Sequence, residues 1–596
     1  MTAISNIEDY ALIGDSRTAA LVSKAGSIDW LCLPQFDSPS CFNRLLDHWR
    51  GGHFTIAPLR PFSVRRSYRD TTAVLLTEFQ TDEGIVRVTD CMPVLPEVKK
   101  STRLFPFRSV LRYIEGLEGT VELDIVFKPR PDHGRLMPAF YLRGRAGYCV
   151  DLGNQLFQVA TDLPLSMQPG ALEGRTLVAA GTRHVLWFAY SEDAPAVYPL
   201  LSDAESAIEE TIHVWNQWAE ACSYDGPYRQ SVIRSALTLK LLSFAPSGAI
   251  VAAPTTSLPE ILGGNRNWDY RYCWLRDASY TAHVFSRIGY AAEATAFLRW
   301  LMHATTLTYP ELNVVYDVYG EASLSQTDVE SLEGYQGSHP VRTGNQAFAQ
   351  FQLDVYGEVL DGVWACVKAG DDLDREMRQR VLRMAALVGS AWTLPDHGIW
   401  EIPHGRRHYV HSKVMAWVAL DRAEQIVRKL GVQANIEPWQ LAKTAIRRAV
   451  FEAGFSRGLG SFVQTFGSEE VDATALTFAG VGFIEPDDPR VASTIRAIRT
   501  RLGDGDLMYR YRGHDGLAGT EGAFLPCSFW LVEALEAIGQ REEARQLFER
   551  LQKLANDVGL YSEEMNPVTG QMLGNFPQAL THLAHIAAAL RLDHGR

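Results

Sequence analysis

The stretch Ala204-Glu-Ser-Ala-Ile-Glu-Glu-Thr-Ile-His-Val-Trp-Asn-Gln-Trp-Ala-Glu-Ala-Cys222 is where the chain changes its period. Ala207, Ile208, Ile212, Val214, Trp215 and Trp218 recur at helical spacing among acidic residues, which predicts a helix linking two unlike halves. Upstream, from about 54 to 192, the period is two. Val121-Glu-Leu-Asp-Ile-Val-Phe-Lys128 alternates, so Val121, Leu123, Ile125 and Phe127 share one face of a strand. Asp82-Glu-Gly84 between two apolar runs is a hairpin signal. Many short strands with turns between them predict a β-sandwich. Downstream, helical patterns dominate at roughly 228–246, 277–304, 344–368, 372–392, 411–430, 436–454, 472–480, 488–502, 523–538, 540–556 and 576–591. Such a series, separated by loops rich in Gly, Trp, Tyr, Arg and Glu, fits a closed toroid of six helical hairpins with its site in the loops at one end. The expected organisation is a β-sandwich over 1–202, a linker helix over 203–225 and a helical barrel over 226–596.

Composition narrows the class. The 596 residues carry a formal charge of −13 and 46% hydrophobic residues, too apolar for a disordered polymer. No run of 18 apolar residues suggests a membrane span, and no basic block suggests nucleic acid. A small neutral partner is expected. Eight scattered cysteines without a CxxC pair read as buried thiols, and the amino terminus lacks a signal-peptide pattern, so a cytoplasmic location is expected. A homo-oligomer is compatible with this composition.

Four loops in the helical half stand out. Gly263-Gly-Asn-Arg-Asn-Trp-Asp-Tyr-Arg-Tyr-Cys-Trp-Leu-Arg-Asp277 puts aromatic rings beside bidentate donors and carboxylates. A sugar needs that mixture, because its C–H face is apolar and its rim is polar. A helix cap at Asp277 with Arg276 as ion-pair partner would account for two of these residues but not for the aromatics. Glu333-Gly-Tyr-Gln-Gly-Ser-His-Pro-Val-Arg-Thr-Gly-Asn345 offers Tyr335, His339 and Arg342, with an ordinary polar loop as the competing reading. In Gly398-Ile-Trp-Glu401-Ile-Pro, Glu401 is set among Ile399, Trp400 and Ile402, where desolvation would raise its pKa as a general acid requires, unless it is a half-exposed surface residue. The adjoining Gly405-Arg-Arg-His-Tyr409 adds Arg407 and His408 as candidate contacts. Leu560-Tyr-Ser-Glu563-Glu564 carries two neighbouring carboxylates, of which an extended backbone turns only one toward a cavity. Arg510, Arg512, His514, Asp515 and Glu521 form a further charged loop. His404, His408 and His411 lack the helical i,i+4 pair of a zinc site and read as hydrogen-bonding groups, so no metal or organic cofactor is expected.

Taken in order, these motifs make the sequence resemble glycoside hydrolase family 15, the glucoamylase and bacterial-type trehalase family, over essentially its whole length. The residues that carry the resemblance are Tyr10–Leu21 with Gly26–Pro34, Arg266–Asp277, Gly398–Glu401 and Leu573–His582. The resemblance implies an N-terminal β-sandwich, a helical linker and an (α/α)6 barrel. It implies that Glu401 is the general acid, that Glu563 is the general base of an inverting hydrolase, and that Trp274, Arg276, Asp277, Trp400 and Arg510 hold sugar, with Glu521 nearby. Fungal glucoamylases have a second Glu where Ile402 stands and a stacking Trp where His339 stands. Both departures favour a short substrate over a starch chain. The expected function is therefore α,α-trehalase, with an exo-α-1,4- or α-1,6-glucosidase on malto- or isomalto-oligosaccharides as the alternative. A disaccharide phosphorylase and a non-catalytic sugar-binding protein stand further off, since neither needs both Glu401 and Glu563. Glu401 is expected to stay protonated in an apolar setting and Glu563 to stay ionised in a wetter one.

Overall fold

The computed structural model describes residues 5–100, 102–192, 196–402, 405–513, 515–517 and 519–593. His404 and His514, named above, lie outside the described residues.

Fifteen strands among the described residues form the first half. The strand Ser109–Lys128 organises them, because it runs through both layers of the sandwich. Its beginning pairs with Gly84–Cys91 and Arg183–Glu192, and its end pairs with His53–Pro58 and Ala171–Ala179, all antiparallel. The change of partners falls at Gly119, whose φ of +59° and whose approach to the Glu83 carbonyl leave no room for a Cβ. Beyond it the alternation read from the sequence holds, with Val121, Leu123, Ile125 and Phe127 buried. Phe127 meets Phe54 within its own layer and Phe188 across the core, each at a centroid distance of 5.1 Å. The sheet begins well before the stretch that read as strands, with Tyr10–Gly14, Ala19–Ser23 and Ser27–Cys32. All three are buried on both faces, and Tyr10–Gly14 and Ala19–Ser23 read as nearly continuous apolar runs without the period of two.

The helix Ala204–Glu220 joins the halves. Ala204, Ala207, Ile208 and Ile212 pack on the outer face of the sheet against Trp187, Leu111 and Phe105. At its far end Trp218 stacks on Tyr290 at 4.0 Å and donates to Glu293 at 2.6 Å, both residues of the helical half.

That half is the (α/α)6 barrel. Leu275–Arg287, Asp354–Ala369, Val410–Lys429, Leu525–Ala537 and Ala579–Asp593 line its axis, and the short 3-10 turn Ala473–Thr477 fills the sixth inner place. Arg229–Leu241, Ala291–Ala304, Arg375–Ala391, Glu437–Ala453, Pro489–Leu502 and Arg541–Leu551 lie outside them. The single helix expected over 277–304 is two, broken at Gly289 with its φ of +97°. The last helix starts at Ala579, where the Gln578 side chain accepts from the Thr581 N–H at 2.8 Å. All eight cysteines are buried and unpaired. No described helix is long and apolar enough to cross a membrane.

Candidate active site

The loop Gly263–Asp277 is built from its centre outward. Arg271 and Asp269 form a fully buried pair, Nη2 to Oδ2 at 2.7 Å and Nε to Oδ1 at 2.8 Å. A lone buried charge would be expensive, and here each is matched. Arg271 also donates to the Ser38 carbonyl at 2.8 Å, and Trp30 Nε1 donates to the Pro254 carbonyl at 2.7 Å. The sheet half thus anchors the loop that carries the site.

From that anchor two donors reach the two carboxylates singled out in the sequence. Tyr270 donates its hydroxyl to Glu563 Oε1 at 2.6 Å, and Trp274 donates Nε1 to Glu401 Oε1 at 2.8 Å. The two rings meet edge to face at 5.3 Å. Both carboxylates border one cavity of about 380 Å³, small for a ligand pocket, together with Trp268, Tyr270, Trp274, Arg276, Asp277 and Trp400.

Glu401 sits in the left-handed region with φ +57°, an outlier that aims the side chain inward and that a binding or catalytic site accounts for. Burial raises its pKa, against the opposing charge of Arg276, whose Nη1 is 3.9 Å away, and the Trp274 bond. Arg276 is itself fixed by Asp277 at 2.6 Å and by the Ile399 carbonyl at 3.1 Å. The neighbouring Trp400 is oriented by Asp472, which accepts from its Nε1 at 2.8 Å.

Glu563 is the more deeply buried of the two, 1% exposed, which corrects the expectation of a wetter setting. Burial pushes it up to about 7, opposed first by Arg510 and then by the bonds from Tyr270 and the Asn575 N–H. Gly574 is required beside it, since a Cβ there would lie 2.5 Å from Glu563 Oε2. Its neighbour Glu564 turns away and accepts from the Gly522 N–H at 2.9 Å.

Arg510 borders the cavity and gives Nε and Nη2 to Glu521, at 2.8 and 2.6 Å. Arg266 bridges Asp515 at 2.6 Å and Glu521 at 3.2 Å. Glu260, Glu521 and Glu564 have the spacing of a metal site, but the Arg510 guanidinium reaches all three, at 3.2, 2.6 and 3.9 Å, and supplies the positive charge there.

Six expected contacts fall outside the cavity lining. Glu521 stands one step behind it, holding Arg510 and Arg266. Arg342 stacks over Trp268 at 4.6 Å and donates to the Asn265 and Asn267 carbonyls, so it braces the aromatic loop from outside. Tyr335 is buried toward the amino-terminal segment, donating to the Ser5 carbonyl at 3.4 Å. His339 is exposed beyond the rim, so its place in the sequence bears on no sugar ring. Arg407 is exposed and pairs through its backbone with Asp396, and His408 stacks on Phe466. Arginine and histidine next to a site motif resemble ligands in a sequence, and only the course of the loop separates them. Tyr270, Trp268 and Arg266 went unassigned although the aromatic loop contains them. Glu260 was missed altogether, and its signal was a lone carboxylate after Pro259 in an otherwise apolar stretch.

Comparison with known proteins agrees with this geometry. A trehalase-like N-terminal model matches residues 2–146 and the model of glycosyl hydrolases family 15 matches residues 226–590. The chain is 37% identical to a trehalase of Thermoplasma volcanium over 98% of its own length and 93% of that protein's. It is 35% identical to a trehalase of Mycobacterium tuberculosis over 98% and 89%. Its fold matches a bacterial glucoamylase solved with acarbose, with a TM-score of 0.74 at 13% identity over 99% of this chain and 94% of that one. With the family model spanning the barrel that holds both carboxylates, and relatives aligned from end to end, the chain is a glycoside hydrolase that belongs to glycosyl hydrolases family 15.

Proposed function

We propose that the protein is an inverting α,α-trehalase in which Glu401 protonates the glycosidic oxygen and Glu563 activates the attacking water. The observation that carries this reading is the pair of carboxylates held across one small cavity by Tyr270 and Trp274. An inverting hydrolase needs one acid and one base on opposite faces of the sugar, with space for a water. Glu401, raised by burial and lying beside Trp400 and Ile402, holds its proton for the leaving oxygen. Glu563 is held through Oε1 by Tyr270 and borders the cavity in which the attacking water would stand. Arg276 and Asp277 grip hydroxyls of the glucosyl ring being cleaved, and Arg510 adds a further contact from the cavity wall. The cavity volume and the apolar Ile402 on its wall support a disaccharide over a long chain, and the trehalases named above support trehalose. A cytoplasmic site of action fits such a substrate. The test is glucose release from trehalose, maltose, isomaltose and soluble starch, with the anomer followed by NMR. Trehalose should be cleaved fastest, giving equal α- and β-glucose, because inversion releases one β-glucose and leaves the other ring α. Starch hydrolysis without trehalose hydrolysis overturns the substrate, and full activity of Glu401→Gln or Glu563→Gln overturns the assignment of roles.

A further inference from the structure

Besides Glu401, Glu563, Asp277 and Asp515, the carboxyl of Glu260 borders the cavity, and the two-carboxylate chemistry leaves it without a task. Glu260 ends the stretch Thr255–Glu260 that leads into the aromatic loop, and its side chain is 2% exposed. Oε2 accepts from Arg510 Nη2 at 3.2 Å. Oε1 is buried and has no partner among the described residues. The two other acids around Arg510 differ from it. Glu521 gives both oxygens to guanidinium groups, and Glu564 does not border the cavity. A buried carboxyl oxygen left unpaired is costly, so a group that arrives with the ligand gains by meeting it.

We propose that Glu260 is a specificity-determining residue whose free Oε1 takes a hydroxyl of the glucosyl ring being cleaved, while Oε2 stays on Arg510. Resting on the glycosidase reading above, this deepens it by naming a contact to one ring. That ring follows from the neighbour. Glu563 must lie within one water of the anomeric carbon, and Glu260 borders the same cavity, so the contact is assigned to the ring being cleaved. Burial, with Glu563 and Glu521 adding to it against Arg510, raises Glu260 to about 8. At neutral pH it is then a carboxylic acid able to donate, and a hydroxyl both accepts and donates.

The experiment uses α-glucosyl fluoride and its 2-, 3-, 4- and 6-deoxy derivatives, which present this ring without a second sugar. In the wild type one of these deletions should lower kcat/KM by roughly tenfold or more through the loss of the Glu260 contact. In Glu260→Ala that same deletion should become nearly neutral while the other three keep their effects. A variant that slows every derivative by one common factor overturns the proposal. Glu260→Leu, which keeps the volume and removes both oxygens, replaces the alanine variant if that one does not melt cooperatively. A crystal structure of the wild type with 1-deoxynojirimycin decides independently of any variant. A ligand hydroxyl within hydrogen-bond distance of Oε1 supports the contact, and its absence overturns it. Cleavage of the fluoride without cleavage of trehalose would remove the substrate assignment and leave the Glu260 contact standing.

Discussion

Tyr270 stands four residues before Trp274 in one loop, and the two side chains hold two carboxylates that border one cavity, Tyr270 on Glu563 at 2.6 Å and Trp274 on Glu401 at 2.8 Å. On the proposed mechanism a single backbone segment therefore sets where both the acid and the base sit. Each donor favours the ionised form of its own carboxylate and so works against the burial that raises both.

Tyr270→Phe keeps the ring and removes the donor. Glu563 then holds its proton to higher pH, and since the base acts only when ionised, the acid limb of kcat/KM should move upward. Activity at neutral pH should fall roughly ten- to a hundredfold. An unchanged acid limb would detach Tyr270 from the base.

Trp274→Phe should act on the other limb. Losing the indole N–H destabilises the Glu401 anion, so the acid keeps its proton longer and the alkaline limb shifts to higher pH. The same pH series on both variants checks that the two shifts fall on different limbs.

Stability carries the signature of Glu563. Its pKa rises from 4.5 to about 7 on folding, so the native state binds the extra proton between these values. Stability from this group is full below about pH 4.5 and is lost as pH climbs through about 7. Glu563→Gln escapes that loss. Relative to wild type, the variant should gain on the order of 1–3 kcal/mol between pH 4 and pH 8, read as a rising difference in melting temperature.

Arg407→Ala, His408→Ala and His339→Ala should leave kcat/KM within about twofold, since these residues lie away from the cavity. A loss of tenfold or more in any of them would return that residue to the site.

How legible was this protein in its sequence? The strand Val121–Lys128 and the helix Ala204–Glu220 were plain, because each buries one face and shows its period. Tyr10–Gly14 was not, since a strand buried on both faces has no alternation to read. Trp274, Arg276, Asp277 and Glu401 were visible through their crowding in short motifs. Tyr335, Arg342 and His408 had the right chemistry in the wrong place, and a loop's path is a tertiary fact. Glu260 was invisible for the opposite reason. One carboxylate after a proline carries no local pattern, and only the fold brings it to Arg510, 250 residues away.

The anchoring of Arg271 on the Ser38 carbonyl makes the sandwich a gauge block for chemistry it never touches. Arg271→Met would strand Asp269 in the interior, at about 3–5 kcal/mol, and melting temperature and turnover should fall together. Exchanging the first half for that of a relative would leave every cavity-lining side chain in the chain and still detune the rate, so inheritance of activity in such chimeras should follow the seam between the halves.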